Sequence, residues 1–203
     1  MCMSNTEIHG SKVNVSVVDD SAVVADKLQE IVNTGHGSNP SARLVVGFDV
    51  KYIQATGSQT GQAKLLILCY QTCFLTRCLI IQLCHLDRIP DVLIKLLADK
   101  TICFLGIGMN NIVTVAVAYL KNYSAQCTTG VEVGHLAARI LKKPNIENYG
   151  LAKLACEVGM NIKEPIGESP NWNARVFSEE QIKYAMHNAY TSFLIGKKLF
   201  EML

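Results

Sequence analysis

Two polar side chains on the last predicted helix are the first candidates for chemistry. Tyr184 and Asn188 are four residues apart, so on a helix they project from the same face, one turn apart. Ser178 and Gln181 precede them with the spacing of a capping box, which predicts where this helix begins. A phenol and an amide on one helical face supply half of a polar site, and the other half must come from upstream.

Upstream, a carboxylate and an ammonium group lie two residues apart near the end of a predicted strand. Asp49 and Lys51 follow the apolar run at 44–48, and alternation along the strand points both to the same side. Asp49 could ligate a metal ion or accept hydrogen bonds from a helix cap. Lys51 could contact a phosphate or be a solvated strand-end lysine. Asn110 and Asn111 follow another buried strand, and they could cap a helix or join the site.

The elements that must position these groups follow an α/β pattern. Strands are predicted over residues 12–18, 44–50, 64–71, 77–83 and 101–108, with a short one at 131–133. Helices are predicted over 21–32, 90–98, 112–123, 134–141 and 150–158, before the last helix. Three consecutive strands from residue 44 predict a β-meander, and a strand leading through glycines into a helix is a βα unit. A mixed sheet should therefore bring the polar groups together at its strand ends.

Composition narrows the class of protein. A length of 203 residues, of which 49% are hydrophobic, suits one domain. We expect residues 1–11 to be a flexible segment and 12–203 to be the domain. A net charge of +2 does not by itself indicate nucleic acid, and no apolar run is long enough to span a membrane. Eight cysteines without a C-x-x-C pair suggest reduced core thiols in a cytoplasmic protein, or one that is also nuclear.

Five segments carry a resemblance to a known family. They are VGFDVK at 46–51, LGIGMNN at 105–111, GLAKLA at 150–155, WNAR at 172–175 and the last helix with Tyr184 and Asn188. In order and spacing the chain resembles the DnaQ-like 3′–5′ exonucleases of the ribonuclease H-like superfamily. It is most similar to the plant branch of Werner-type exonucleases that includes the RISC-interacting clearing exoribonucleases. The resemblance implies an α/β fold with a mixed sheet of five to six strands flanked by helices.

The resemblance also implies a chemistry, from which this sequence departs. The family uses four acidic residues to hold two divalent cations at a phosphodiester. Asp49 matches the first acid, but Lys51 replaces the second, Asn110 or Asn111 the third and Asn188 the fourth. Tyr184 matches the residue that orients the attacking water. The catalytic motifs are therefore degenerate, and Mg²⁺, which prefers carboxylate oxygens, would be held weakly at Asp49.

Three interpretations of this departure remain open. An exonuclease acting on single-stranded RNA could use an atypical site with Asp49, Tyr184 and Asn188 as catalytic residues and Mg²⁺ or Mn²⁺ as cofactor. In that site Lys51, Asn110 and Asn111 would bind substrate, and acids such as Glu132 or Asp91, or a second subunit, would complete it. Alternatively, the chain is an inactive relative that binds nucleic acid, or an oligomeric scaffold. His187 lies one residue before Asn188 on the same predicted helix, about 100° round its axis. It is predicted to be a surface or interface residue.

Association is predicted from two unusually apolar helices. The last helix is apolar on more than one face between residues 191 and 203, and the helix at 112–120 is similar. A helix that is hydrophobic all round is usually buried, in some proteins by a partner subunit. The sequence therefore predicts a homo-oligomer with single-stranded nucleic acid, RNA before DNA, as its ligand and with no membrane association.

Overall fold

One mixed sheet of seven strands organises the computed structural model, which describes residues 2–35, 43–53, 62–72, 75–120, 127–165 and 169–203. The strands are β1 (Cys2–Ile8), β2 (Ser11–Val18), β3 (Leu44–Ile53), β4 (Gln62–Thr72), β5 (Leu75–Gln82), β6 (Ile102–Gly106) and β7 (Gly130–Glu132). The helices are α1 (Ser21–Gly35), α2 (Asp91–Ala98), α3 (Met109–Tyr119), α4 (Val133–Ile140), α5 (Leu151–Glu157) and α6 (Glu179–Phe200).

The strand order is β1-β2-β5-β4-β3-β6-β7. Strands β3, β4 and β5 form the expected antiparallel meander. Strand β6 runs parallel to β3, β7 runs parallel to β6, and β2 runs parallel to β5. The α/β class and the mixed sheet are confirmed, but the sheet has seven strands rather than five to six.

The additional strand is β1, which pairs antiparallel with β2 along its whole length. The sequence predicts a flexible segment over residues 1–11, but Cys2–Ile8 is a paired edge strand. This segment is mostly polar and exposed, so it lacks the alternation that identifies a half-buried strand. Its place in the sheet comes from backbone pairing with β2. The domain limits at 12–203 remain a prediction.

Helices cover both faces of the sheet. Helix α6 packs on one face, where its apolar side meets residues such as Leu65 and Ile67 of β4. Helices α1, α2 and α3 contribute to the core on the other face, around residues such as Phe48 and Leu66. Central strands covered on both faces are apolar throughout rather than alternating, which explains the continuous run that begins β3.

Close approach of α6 to β3 requires a glycine. A Cβ atom on Gly47 would lie 1.9 Å from the carbonyl oxygen of Ala189 and 2.8 Å from Cβ of Phe193. The absence of a side chain therefore lets the helix backbone touch the strand. Because alternate residues of a strand share a face, this contact also shows that Asp49 and Lys51 lie on the α6 side.

No helix among the described residues has the length and apolar character needed to cross a bilayer.

Candidate functional site

Asp49 and Lys51 form a buried ion pair at the end of β3. Lys51 Nζ lies 2.6 Å from Asp49 Oδ2, and the two side chains are 14% and 5% exposed. Within the described residues, Oδ2 has this ion-pair partner but receives no hydrogen bond of normal geometry. The carboxylate is therefore neutralised mainly by one ammonium group, which comes from the same strand.

Helix α6 places Tyr184 and Asn188 beside this pair. The predicted capping box is confirmed, since the Gln181 N–H donates to Ser178 Oγ and the Ser178 N–H donates to Gln181 Oε1. This cap determines where the helix starts and hence which residues face β3. The Tyr184 ring packs at an angle against the ring of Trp172, with the two centroids 6.0 Å apart.

The start of α3 differs from the expectation that Asn110 or Asn111 caps it. The helix begins after Gly108, whose positive φ of 68° suits glycine. The N–H groups of Gly108 and Met109 donate to the two carboxylate oxygens of Glu132, at 3.1 and 2.8 Å. Both asparagines lie inside the first turn. The cap thus comes from the end of β7, and no local pattern reveals it.

The polar groups converge on a cavity of about 330 Å³, which we call the Asp49 cavity. Its lining residues are Asp49, Val50, Lys51, Tyr52, Ile107, Gly108, Asn111, Ile112, Ser169, Trp172, Tyr184 and Asn188. Five of the six candidate side chains therefore meet at one place. The exception is Asn110, which is exposed and does not line the cavity.

The side chains in the Asp49 cavity do not fit a two-metal centre. In the described part of the chain, Asp49 is the only carboxylate that lines the cavity, and Lys51 already neutralises it. Among the described residues there is no cluster of three or more His, Cys, Asp or Glu side chains that could hold a metal ion. Glu132 is engaged at the start of α3, and Asp91 belongs to α2, whose buried side packs on the opposite face of the sheet. Two divalent cations need several anionic oxygens, which these residues do not supply.

A second polar cluster, around His187, has no signature in the sequence. His187 is 2% exposed, and its Nε2 lies 3.0 Å from a Glu164 carboxylate oxygen. The His9 ring contacts the His187 ring edge-on, with centroids 5.3 Å apart. Nε2 of His9 lies 3.1 Å from Thr191 Oγ1. The expectation of a surface or interface position for His187 was wrong, because β1 and the 160–165 loop cover this side of α6.

Burial lowers the pKa of His187, and the nearby Glu164 carboxylate opposes that shift. The pKa of His9 is lowered by burial and then by the charge of His187. The two histidines line a cavity of about 430 Å³ that meets the Asp49 cavity at Tyr184, which lines both. Since the two histidines are far apart in the chain, no sequence spacing could have paired them.

Comparison with known proteins decides the family. A family model described as 3′–5′ exonuclease matches residues 18–203. The chain belongs to the 3′–5′ exonuclease family. The family-level resemblance is confirmed, whereas membership of the Werner-type plant branch remains a prediction.

A curated relative within this family is Exonuclease 3′-5′ domain-containing protein 2 of Drosophila melanogaster. It is 28% identical over 158 residues, which make up 76% of this chain and 25% of the relative. This exonuclease-family chain therefore aligns with about a quarter of that relative's length.

Two solved structures show the same fold. The Nibbler EXO domain of Aedes aegypti superposes with a TM-score of 0.68 at 15% identity, covering 93% of this chain and 88% of the other. The EXD2 exonuclease domain, from a crystal soaked in Mn, gives a TM-score of 0.51 at 22% identity and covers 92% and 88%. The predicted ribonuclease H-like exonuclease architecture is therefore confirmed.

Proposed function

We propose that this chain is a 3′–5′ exonuclease-type protein that takes the 3′ end of single-stranded RNA into the Asp49 cavity. The observation that carries the proposal is convergence. The ends of β3, the first turn of α3 and one face of α6 bring Asp49, Lys51, Asn111, Tyr184 and Asn188 to one cavity. These segments are distant in sequence, and the family match includes all three.

The groups in the cavity suit a terminal nucleotide. Lys51 offers a positive charge to a phosphate, and the amides of Asn111 and Asn188 can donate to phosphate or sugar oxygens. Tyr52 and Trp172 add aromatic surface to the lining, and a base can stack on such surfaces with little sequence preference. The choice of RNA, and of a role in small-RNA pathways, follows the resemblance to the RISC-interacting branch.

The metal question separates two forms of this proposal. Mg²⁺ or Mn²⁺ is the cofactor that family membership implies, and it would activate the hydrolytic water if bound. This chain offers such an ion one carboxylate, paired with Lys51 at 2.6 Å. The Asp49–Lys51 pair therefore favours a second candidate function, in which the chain binds RNA ends or serves as an oligomeric scaffold without cleaving RNA. Retention of Asp49 and Tyr184 in one cavity favours the atypical exonuclease.

One experiment decides between the two forms. Freshly purified wild type and Asp49→Asn are incubated with 5′-labelled single-stranded RNA in Mg²⁺, in Mn²⁺ and in chelator, and both cleavage and binding are measured. Lys95→Met, on the opposite face of the sheet, is the matched control. Metal-dependent 3′ shortening by wild type and Lys95→Met, but not by Asp49→Asn, supports the exonuclease. Binding without shortening supports the inactive relative, and absence of both binding and cleavage contradicts the proposal.

Self-association is a separate part of the proposal. Much of the apolar surface that suggested it is buried within the chain, since Ile195 and Leu199 of α6 pack in one cluster with α4 and α5, and Ile112 and Ala116 of α3 pack in the core. Exposed apolar side chains remain at the C-terminal end, such as Phe200, Met202 and Leu203. We propose a homo-oligomer found in the cytoplasm, or in both the cytoplasm and the nucleus. Light scattering that gives the 22.3 kDa monomer mass at every concentration would contradict the oligomer.

A further inference from the structure

A β-bulge beside the Asp49 cavity places a lysine that the proposed function does not use. On β3 and β4, Lys51 pairs with Leu65, but the next residue, Tyr52, pairs with Ala63. Lys64 is therefore the extra residue of a bulge opposite Lys51. Bulges interrupt the alternation of a strand and redirect a side chain, and they are frequent next to functional sites.

Lys64 is a cation without a carboxylate partner among the described residues. Its Nζ donates a hydrogen bond to Gln62 Oε1 at 3.0 Å on the protein surface. Lys51, by contrast, already forms an ion pair with Asp49. On contacting a phosphate, Lys64 would lose only a hydrogen bond to a neutral amide, whereas Lys51 would have to lose or share an ion-pair partner.

Arg175 lies near Lys64 at the same end of the sheet. Gln82 of β5 pairs with Leu65, the neighbour of Lys64 on β4, and the Gln82 side-chain amide donates a hydrogen bond of 2.8 Å to the carbonyl oxygen of Ala174, next to Arg175. In keeping with this placement, the positive charges of Lys64 and Arg175 both oppose the rise that burial causes in the pKa of the Cys84 thiol. The Cys84 thiol also lies 3.8 Å from the carbonyl oxygen of Trp172, to which it donates a weak hydrogen bond. Trp172 is part of the Asp49 cavity, which links the two cations to its rim.

The sheet order sets the direction of this basic surface. Strands β3, β4 and β5 are neighbours, and the end of β3, the start of β4 and the end of β5 lie at the same end of the sheet. Neighbouring strands are about 4.8 Å apart, so the distance across this end of the sheet from Lys51 to the end of β5 is about 10 Å. Beyond it, at the end of β2, Asp19 lies 3.6 Å from Arg175 and brings negative charge to the outer end of the surface.

We infer that Lys64 and Arg175 form a second phosphate-binding surface, the Lys64 track, which holds the RNA strand on the 5′ side of the nucleotide in the Asp49 cavity. The inference rests on the proposed function and extends it. The cavity binds the terminal phosphodiester, and the track binds the phosphates before it. A dinucleotide, which has one phosphodiester, occupies the cavity alone, whereas a decanucleotide also occupies the track.

The single tryptophan of the chain provides the measurement. Trp172 lines the cavity, so its fluorescence reports binding of unlabelled oligouridylates of either length. Affinity is measured in chelator as a function of salt for wild type, Lys64→Met, Arg175→Met and Lys64→Arg. The matched control is Lys95→Met, which changes an exposed lysine of α2 on the other face of the sheet. Thermal unfolding verifies that each variant is folded.

For a single strand, each lost phosphate contact lowers the slope of log affinity against log salt by about 0.7. We expect this loss for the decanucleotide in Lys64→Met and in Arg175→Met, and no change for the dinucleotide. A fourfold rise in salt should then weaken decanucleotide binding about 2.6-fold less in either variant than in wild type. Lys64→Arg and Lys95→Met should keep the wild-type slope.

Three results would overturn the inference, and they differ in what else they overturn. If wild type binds both oligonucleotides and the decanucleotide slope is unchanged in both methionine variants, the track is wrong and the cavity assignment survives. If neither oligonucleotide alters Trp172 fluorescence in wild type, the cavity assignment fails, and the track fails with it. A loss of dinucleotide affinity in Lys64→Met would place Lys64 in the cavity itself and would also contradict the track.

Discussion

At the scale of single residues, Lys51 determines the charge of the candidate site. Where the family resemblance places a glutamate, this chain has an ammonium group 2.6 Å from the Asp49 carboxylate. A glutamate there would add a ligand for a divalent cation, whereas the lysine supplies the positive charge itself. One side chain therefore shifts the cavity from holding metal ions towards contacting a phosphate directly.

The Asp49–Lys51 pair should also matter for stability. Lys51→Met removes the ion-pair partner of a buried carboxylate, and an unpaired buried charge is costly. Because the pair lines a cavity that water can enter, we expect a loss of about 2 kcal/mol in the free energy of unfolding, less than for a fully buried pair. Urea unfolding of the variant measures it.

The matched control for this prediction is the double variant Asp49→Asn/Lys51→Met. It removes both charges and should recover most of the lost stability, because no uncompensated charge remains. Equal destabilisation in the single and double variants would show that the ion pair is not the cause.

At the scale of elements, the site depends on how closely α6 lies against β3. Gly47 permits the contact between the strand and the Ala189 carbonyl group, and the capping box sets the start of the helix. Together these features bring Tyr184 and Asn188 to the end of β3. The geometry of the cavity is therefore a consequence of one strand–helix packing contact.

Gly47→Ala should disrupt this contact severely. The new methyl group would meet backbone atoms at 1.9 Å, which cannot be relieved by a rotamer change. We expect a loss of about 3 kcal/mol or more in the free energy of unfolding, since α6 must move away from the sheet. Urea unfolding at constant pH measures the change.

Gly150→Ala is the control for Gly47→Ala, because a Cβ atom on Gly150 would have no neighbour within 4 Å and the φ of this residue is −67°. This substitution should change stability by about 1 kcal/mol at most. Similar losses in the two variants would contradict the close-approach explanation.

At the scale of the whole molecule, the His9–His187 cluster joins distant parts of the chain. His9 follows β1, Glu164 lies ahead of α6, and His187 is on α6 itself. The cluster covers one side of α6, where the His187 ring is buried and the His9 ring is half-buried. Charging either of them should weaken the packing of β1 and the 160–165 loop against α6.

Global stability should therefore depend on pH in a defined direction. The pKa values of His9 and His187 are both below the ordinary value of 6.5, chiefly because of burial. Below about that pH the unfolded chain binds more protons than the folded chain, so the free energy of unfolding falls as pH decreases. The stability that the two uncharged histidines contribute is fully present above the pKa of a histidine in the unfolded chain. Urea unfolding between about pH 5 and pH 8 measures it.

Substitution identifies the groups responsible for this pH dependence. His187→Gln should flatten the decline in stability below pH 6.5, the ordinary pKa of a histidine side chain. His135→Gln, on an exposed position of α4, serves as the matched control. A decline in His187→Gln as steep as in wild type would exclude the buried histidine as its source.

Local sequence patterns predicted a large part of this fold. The capping box of α6 depends on residues within one turn, and the meander and the βα unit are built from elements that follow one another directly in the chain, so their signals are present in the sequence. The same holds for the shared face of Asp49 and Lys51, and for that of Tyr184 and Asn188. Five of the six candidate side chains, all except Asn110, therefore lie in one cavity, whereas other lining residues such as Ser169 were not among the candidates.

Other features depend on partners that are far away in the chain. The pairing of β1 with β2, the Glu132 carboxylate at the start of α3 and the burial of His187 beside Glu164 have no local signature. The bulge at Lys64 arises from the register between β3 and β4, which neither strand specifies alone.

The amino-acid sequence specifies which elements form and which polar residues they carry, because propensity, alternation and capping act over a few residues. Three-dimensional packing then selects which of those residues meet. It brings Asn111 rather than Asn110 into the cavity and closes the Lys51 ammonium group onto Asp49. The difference arises because packing and electrostatic contacts act over a few ångströms in space, whatever the separation of the residues along the chain.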